Sequence, residues 1–241
     1  MSAGPNAPPP RDYLLADLRR LMVRLAANER WYEQSWLGVP IWQLPDDLIR
    51  LQEVVSLVRP RWIVETGTKF GGSAIFFASL LEMLGHDGEG GVITVDIMLT
   101  DTARETFKSH RLRHHVRLSL EADAAAPTTV ARIAERIAAA PGPTLVFLDD
   151  DHNADHVLAE MRGYAPLVTD DSYLIVADTV FADLAGTPVG QPSPKYPDVG
   201  ASNPRVAVRQ FLAESDGFEV DPRFAAKGIG NFPDGFLRRR R

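Results

Sequence analysis

Short apolar runs alternate with segments of helical periodicity between residues 62 and 178, and this alternation restricts the fold more than any other feature. Strands are predicted at residues 62–65, 92–96, 116–120, 145–149 and 173–178, and helices near 72–84, 101–109, 128–139 and 154–167. Because the runs are apolar without strict alternation, we expect helices to cover both faces of the strands. The sequence therefore predicts an α/β fold with a doubly wound, mostly parallel Rossmann-like sheet.

Residues 11–60 are predicted to form a helical cap on this sheet, with residues 1–10 as a leader before it. Residues 1–10 are rich in proline and small side chains, which predicts a disordered leader. An irregular connection over 36–45 leads to a helix from Pro45 to just before Pro60. The predicted units are a leader (1–10), a cap (11–60) and a Rossmann-like domain (61–241), with cap and domain forming one folded unit. An earlier helix carries an apolar stripe suited to a core or subunit interface, so we expect a homo-oligomer; the stripe contains Leu14, Leu18, Leu21 and Leu25.

The segment after the fifth predicted strand begins with a long loop. Residues 181–204 are rich in proline and glycine and have no clear periodicity, which is typical of a lid or binding loop. A helix at 205–213 and strands at 218–220 and 236–239 follow, and the two strands are expected to form an antiparallel pair at the sheet edge. Four arginines, Arg238 to Arg241, end the chain and are expected to fray.

The composition excludes several classes of function. The 241 residues include no cysteine, which excludes disulfides, thiolate metal sites and cysteine nucleophiles. A formal net charge of −6 argues against a nucleic-acid partner. The sequence shows neither a signal peptide nor an apolar run long enough to cross a bilayer. We therefore expect a cytoplasmic protein without nucleic-acid or membrane partners.

A glycine-containing turn, running from Glu65 to Ser73, joins the first predicted strand to the next helix. Ligands of α/β proteins bind at the carboxyl ends of strands, and glycines let the backbone approach them. The turn lacks both the G-x-G-x-x-G of dinucleotide sites and the Gly-Lys-Ser/Thr of P-loops. An acid beside the turn suits a ligand that carries a cation, such as the sulfonium of S-adenosylmethionine. The predicted cofactor-binding residues here are Glu65, Thr66, Gly67, Thr68, Gly71, Gly72 and Ser73.

Two further acids extend the predicted cofactor site. Asp96 ends the second strand, where its carboxylate is suited to accept two hydrogen bonds from the ribose diol; the alternative is an aspartate that caps the next helix. Asp123 follows the third strand and is expected either to reach the adenine amine or to be an ordinary loop acid.

Three consecutive carboxylates follow the fourth strand, in the sequence Asp149-Asp150-Asp151-His152, and Asp178 ends the fifth. Their mutual repulsion must be offset by a divalent cation, a helix dipole or water. Oxygen ligands suit Mg²⁺. His152 is the candidate general base because its unperturbed pKa lies near neutrality. The alternative is a solvated acidic helix start with a histidine packed under it.

These residues, with others from position 36 to the C-terminus, resemble the cephalosporin hydroxylase/rhamnosyl O-methyltransferase family. The matching motifs are Trp36-x-Gly-x-Pro, Pro45-x-Asp-Leu-x-x-x-Gln-Glu53, Arg59-Pro-x-x-Ile-Val-Glu-Thr-Gly-Thr68, Gly71-Gly-Ser73, Val95-Asp-Ile97, Leu148-Asp-x-Asp-His152 and Tyr173-Leu-Ile-Val-x-Asp-Thr179.

The resemblance implies an S-adenosylmethionine-dependent O-methyltransferase that acts on a hydroxyl of a sugar or glycosylated natural product, as in antibiotic biosynthesis. It implies Mg²⁺ held by Asp149 or Asp151 together with Asp178, and His152 as the base. We also expect Asp149 to take part in catalysis and in binding the cofactor. Ala177 stands where the family has a glutamate, which removes one carboxylate from the metal site.

Two other functions compete with this interpretation. A non-catalytic family member would keep the fold and support an oxygenase or hydroxylase partner in natural-product biosynthesis. An enzyme that binds NAD or a nucleotide sugar is disfavoured, because the dinucleotide glycine pattern is missing.

Overall fold

A computed structural model describes residues 11–28, 33–86, 88–187, 190–225 and 230–241. Eight elements form the first half of the chain: α1 (Arg11–Asn28), β1 (Ser35–Trp36), β2 (Val39–Pro40), α2 (Pro45–Val58), β3 (Trp62–Thr66), α3 (Gly72–Met83), β4 (Gly91–Asp96) and α4 (Asp101–Ser109). The second half contains β5 (Val116–Glu121), α5 (Pro127–Ala138), β6 (Thr144–Leu148), α6 (Ala154–Tyr164), β7 (Tyr173–Val176), α7 (Phe181–Leu184), α8 (Pro204–Glu214), β8 (Phe218–Val220), α9 (Pro222–Ala225) and β9 (Phe236–Arg239).

The described strands build a seven-stranded sheet in the order β5-β4-β3-β6-β7-β9-β8. The first five of these run parallel, whereas β9 is antiparallel to both β7 and β8. The predicted α/β sheet and its antiparallel edge pair are therefore confirmed. Strand order reverses between β3 and β6, and the carboxyl ends of strands at such a reversal form the usual ligand crevice.

Successive side chains of the parallel strands contribute to two separate cores, one on each face of the sheet. Ile63 packs with α2 and α3 on one face, while Trp62 and Val64 pack with α5, α6 and α8 on the other. All five residues of β3 and of β6 are buried. This confirms that helices cover both faces, which is why these strands are apolar throughout.

Several predicted boundaries differ from the structure. Residues 36–45 do not form an irregular connection throughout, because β1 and β2 make a hairpin there. Its two-residue turn has positive φ at both Leu37 (50°) and Gly38 (88°), the geometry that suits the twist of paired strands. The fourth and fifth predicted strands end early, at Leu148 and Val176, and the loop at 181–204 begins with the short helix α7. Residues 1–10 lie outside the described residues.

The arginine-rich C-terminus is paired with acids of neighbouring elements, while its predicted fraying stays a prediction. Arg238 and Arg239 belong to β9. Arg240 pairs with Glu219 at 3.1 Å, and Arg241 pairs with Asp171 at 2.5 Å. The acids of neighbouring elements thus bind the four cations that the sequence places together.

Candidate active site

A cavity of about 820 Å³ opens at the carboxyl ends of β3, β4 and β6. Seven of the residues predicted to bind the cofactor line it: Gly67, Thr68, Gly72, Ser73, Asp96, Asp123 and Asp149. Glu65, Thr66 and Gly71 are buried behind this lining. A volume of this size is typical of sites for ligands as large as a nucleoside cofactor, about 300–1,000 Å³.

Two glycines of the β3–α3 turn allow close contacts between this turn and neighbouring backbone. A Cβ on Gly67, whose φ is +84°, would lie 2.1 Å from the carbonyl oxygen of Asp149. A Cβ on Gly72 would lie 2.1 Å from the carbonyl oxygen of Pro40 in the hairpin. From the sequence we expect these glycines to let a ligand approach the backbone; in the structure they let the ends of β6 and β2 close on the turn.

Glu65 acts on the cavity through two threonines. The hydroxyl of Thr94 donates to Glu65 Oε1 at 2.7 Å and lies 2.5 Å from the hydroxyl of Thr68. Burial raises the pKa of Glu65 to about 8. Because the proton of Thr94 is directed at Glu65, Thr68 is the donor in the second hydrogen bond. This orientation turns the remaining lone pairs of the Thr68 oxygen away from Thr94.

Asp96 is fixed at the end of β4 by backbone amides. Its Oδ2 accepts a hydrogen bond from the amide of Lys69 at 2.9 Å, and its Oδ1 accepts one from Met98 at 3.1 Å. Each carboxylate oxygen has a further acceptor site, so both can still receive hydroxyl donors. Asp123 is more exposed, and its Oδ1 accepts from the amide of Ala125 at 2.9 Å.

The acids after β6 and β7 have different partners. Asp149 accepts a hydrogen bond of 2.6 Å from Gln43 Nε2, and burial, with the nearby Asp178 and Glu65, raises its pKa well above the usual range. Burial acts to raise the pKa of Asp151, but hydrogen bonds from Asn153 and the charge of Lys195 (3.3 Å away) outweigh it and hold the pKa low.

The predicted metal ligands do not gather into one three-carboxylate centre. Within the described parts of the chain, Asp149, Asp151 and Asp178 do not bring one oxygen each within 4.8 Å of one another. The physical reason is that Lys195 and Asn153 hold Asp151, while Asp178 faces His152. In this arrangement the three carboxylates do not share one centre, and a cation held by Asp149 or Asp151 together with Asp178 stays a prediction.

His152 is held between a carboxylate and two aromatic rings. Its Nε2 lies 3.3 Å from Asp178 Oδ2. Its ring centroid lies 4.5 Å from that of Phe181 and 5.2 Å from that of Tyr196. The carboxylate favours a proton on Nε2, which leaves Nδ1 as the basic nitrogen. Asp178 and His152 thus form an oriented acid–histidine pair on the cavity wall.

The residues that hold Asp149, Asp151 and His152 in place are not predicted from the sequence. Gln43 lies beyond the hairpin, and Lys195 and Tyr196 come from the loop at 185–203, whose pattern predicts no contacts. His156 and Glu160 had a signal, because their spacing of four places both on one face of α6.

The first helix closes one side of the cavity. Val23 and Ala27 line it, and Val23 packs against Val180 and Leu184. Leu18 and Leu21 of the predicted stripe are 40% and 51% exposed, so the contact with the site uses another face of the helix. No described helix combines the length and apolar character that a membrane span needs.

Comparison with known proteins places this site in a family. The sequence pattern of the rhamnosyl O-methyltransferase/CmcI family matches residues 28–240. The chain belongs to this family. Membership in the rhamnosyl O-methyltransferase/CmcI family confirms the predicted enzyme class, an S-adenosylmethionine-dependent O-methyltransferase.

Individual relatives agree with this assignment. The chain is 31% identical over 215 residues to the rhamnosyl O-methyltransferase of Mycobacterium leprae, covering 88% of this chain and 86% of that protein. The Mycobacterium tuberculosis H37Rv rhamnosyl O-methyltransferase is 29% identical over 217 residues, covering 88% and 80%.

Solved structures with a similar fold are more distant in sequence. A CmcI structure with magnesium and S-adenosylmethionine superposes with a TM-score of 0.63 at 20% identity, over 86% of this chain and 77% of that one. The O-methyltransferase TomG from Streptomyces achromogenes, in complex with S-adenosylmethionine, gives 0.53 at 17%, over 96% and 89%. These neighbours confirm the methyltransferase fold.

Proposed function

We propose that this protein methylates a hydroxyl group of a sugar or glycosylated natural product, with His152 as the general base. The observation that carries the proposal is the His152–Asp178 pair on the wall of the cavity that Asp96 and the glycine turn also line. The curated relatives named above are rhamnosyl O-methyltransferases, which supports a deoxysugar hydroxyl as the acceptor.

The polar groups on the cavity wall suit the hydrogen-bonding groups and the charge of S-adenosylmethionine. Asp96 offers two carboxylate oxygens for a vicinal diol, and Thr68 offers a hydroxyl oriented by Glu65 and Thr94. Asp149 and Asp150 place two further carboxyl groups on the cavity wall, and a cationic ligand beside them favours their charged form. The chemistry that bound S-adenosylmethionine supplies is a methyl group on a sulfonium, which becomes a neutral thioether after transfer.

The chain's own part in the reaction is orientation and proton removal. As the acceptor oxygen bonds to the methyl carbon, its proton passes to Nδ1 of His152. The positive charge that then forms on the imidazole is stabilised by Asp178, 3.3 Å from Nε2. Phe181 and Tyr196 restrict the ring to one orientation. No step in this scheme needs a cation on Asp149, Asp151 and Asp178.

The test is a transfer assay with rhamnose-bearing glycosides as acceptors and radiolabelled S-adenosylmethionine as donor. We expect methylation by the native chain and at least a hundredfold lower kcat for His152→Gln. Binding of S-adenosylmethionine without transfer to any glycoside would contradict the proposal and favour a non-catalytic family member that supports an oxygenase partner.

A further inference from the structure

A second cluster of ligand-type side chains lies beside the cavity, between the end of β6 and α6. Asp150 follows β6, and His156 and Glu160 project from one face of α6. Nε2 of His156 lies 3.3 Å from Asp150 Oδ2 and 3.9 Å from Glu160 Oε2. One ligand atom from each of the three residues lies within 4.8 Å of the other two.

Glu160 is the residue that demands an explanation. Its side chain is 1% exposed, and neither carboxylate oxygen accepts a hydrogen bond of full geometry, although the side chains of Asp150 and Thr66 are its polar neighbours. Oδ1 of Asp150 is also buried without a partner. A buried carboxylate that is not paired is strongly unfavourable, so such a group needs either a cation or a proton.

We propose that Asp150, His156 and Glu160 bind a divalent transition-metal ion of the Mn²⁺ or Zn²⁺ type. One imidazole nitrogen with two carboxylates is a donor set that such ions accept. Bonds of about 2.0–2.2 Å need ligand atoms about 3–4 Å apart, so the observed cluster needs only small side-chain movements. Asp150 and His156 line the cavity, which gives the ion a route of entry.

The competing explanation is a shared proton. Burial and then the nearby Asp150 raise the pKa of Glu160 well above the usual range, while the hydrogen bond that His156 donates to Asp150 raises the pKa of His156. A protonated Glu160 beside a charged His156 would leave the cluster stable without an ion. The two explanations differ in one measurable property, stoichiometric metal binding.

The experiment titrates Mn²⁺ into the full-length chain without S-adenosylmethionine, followed by electron paramagnetic resonance. Glu82, His114 and His115 form another group of metal-ligating atoms, so all measurements use a His114→Gln background. We expect one Mn²⁺ per chain, with an electron spin echo modulation from a histidine ¹⁴N nucleus. Glu160→Gln and His156→Gln should each weaken binding at least tenfold, and His156→Gln should remove the nitrogen signal.

Matched variants separate this site from the predicted one. Asp178→Asn and His152→Gln should leave the affinity and the nitrogen signal unchanged. Absence of binding, or binding that survives Glu160→Gln but is lost in Asp178→Asn, would overturn the proposal. Thermal unfolding without Mn²⁺ checks that each variant folds, and His156, whose side chain is 31% exposed, tolerates substitution if the buried Glu160 does not. Because no acceptor is present, the result is independent of the proposed methyl transfer.

Discussion

Gly67 lies so close to Asp149 that a Cβ on the glycine would come within 2.1 Å of the aspartate's carbonyl oxygen. This contact joins the ends of β3 and β6, the two strands between which the order of the sheet reverses. The glycine turn after β3 and the end of the strand that leads into Asp149–Asp151 are therefore built against each other.

Gly67→Ala should destabilise the protein more than its backbone angle alone explains. A positive φ costs an alanine about 1–2 kcal/mol, and the clash with Asp149 adds to that cost. Gly85→Ala is the matched control, because Gly85 has a φ of +73° and nothing within 4 Å of its added Cβ. Urea unfolding measures the free energy of unfolding of both variants. Equal decreases would show that the close approach of Gly67 to Asp149 does not contribute to the cost of the substitution.

Asp178→Asn should lower kcat with little change in the affinity for S-adenosylmethionine. The variant keeps the shape of the side chain but loses the charge 3.3 Å from His152, so the imidazolium that forms is less stable. We expect a decrease of about tenfold or more. Asp155→Asn, an exposed position on α6, serves as the control in steady-state kinetics and calorimetry. A normal kcat for Asp178→Asn would remove the pair from the mechanism.

Asp96→Asn should weaken S-adenosylmethionine binding by about tenfold or more. Hydrogen bonds to a charged acceptor contribute roughly 1.5–3 kcal/mol, and the amide offers one acceptor oxygen in place of two. Isothermal titration calorimetry measures the change. Asp101→Asn, in the first turn of α4, is the control because Asp101 does not line the cavity. Similar dissociation constants for both variants would speak against the ribose role of Asp96.

Stability should fall as pH rises from about 5 to 7, in part because of Asp47. This residue is fully buried, its carboxylate accepts hydrogen bonds from the amide of Asn231, and burial raises its pKa to about 8. Between the pKa of the unfolded chain and 8, the folded state binds the extra proton, so each such group lowers stability by up to about 1.4 kcal/mol per pH unit.

Asp47→Asn should reduce this slope without removing it, since the pKa of Glu65 is also raised to about 8 and acts with the same sign. Unfolding midpoints at pH 5, 6 and 7 give the slope, with the exposed Asp216→Asn as reference. An unchanged slope in Asp47→Asn would mean that its carboxylate is charged in the folded protein throughout this range.

The sheet could be predicted from the sequence because strands that are buried on both faces are continuous runs of apolar residues. β3 and β6 are buried along their whole length, and both were found. The hairpin left no such mark: its strands have two residues each, and the positive φ of Leu37 is not typical of leucine.

The candidate site was predictable only as far as backbone position. The acids at the ends of β4, β6 and β7 lie at one edge, as parallel strands require. Their partners come from elsewhere in the chain: Lys195, which holds Asp151, is 44 positions away in an aperiodic loop. Long-range contacts of this kind decide whether an acid faces a histidine or a lysine. The local sequence pattern does not predict such contacts.

The contact of α1 with α7 gives the cavity a wall that lies outside the matched family pattern. The family pattern begins at residue 28, whereas Val23 and the hydrogen bond from Arg20 to the carbonyl of Asp183 lie on the helix before it. This wall and the His152–Asp178 pair therefore come from separate stretches of the sequence. A change in α1 would reshape this side of the cavity and leave the acids and His152 at the ends of the parallel strands in place.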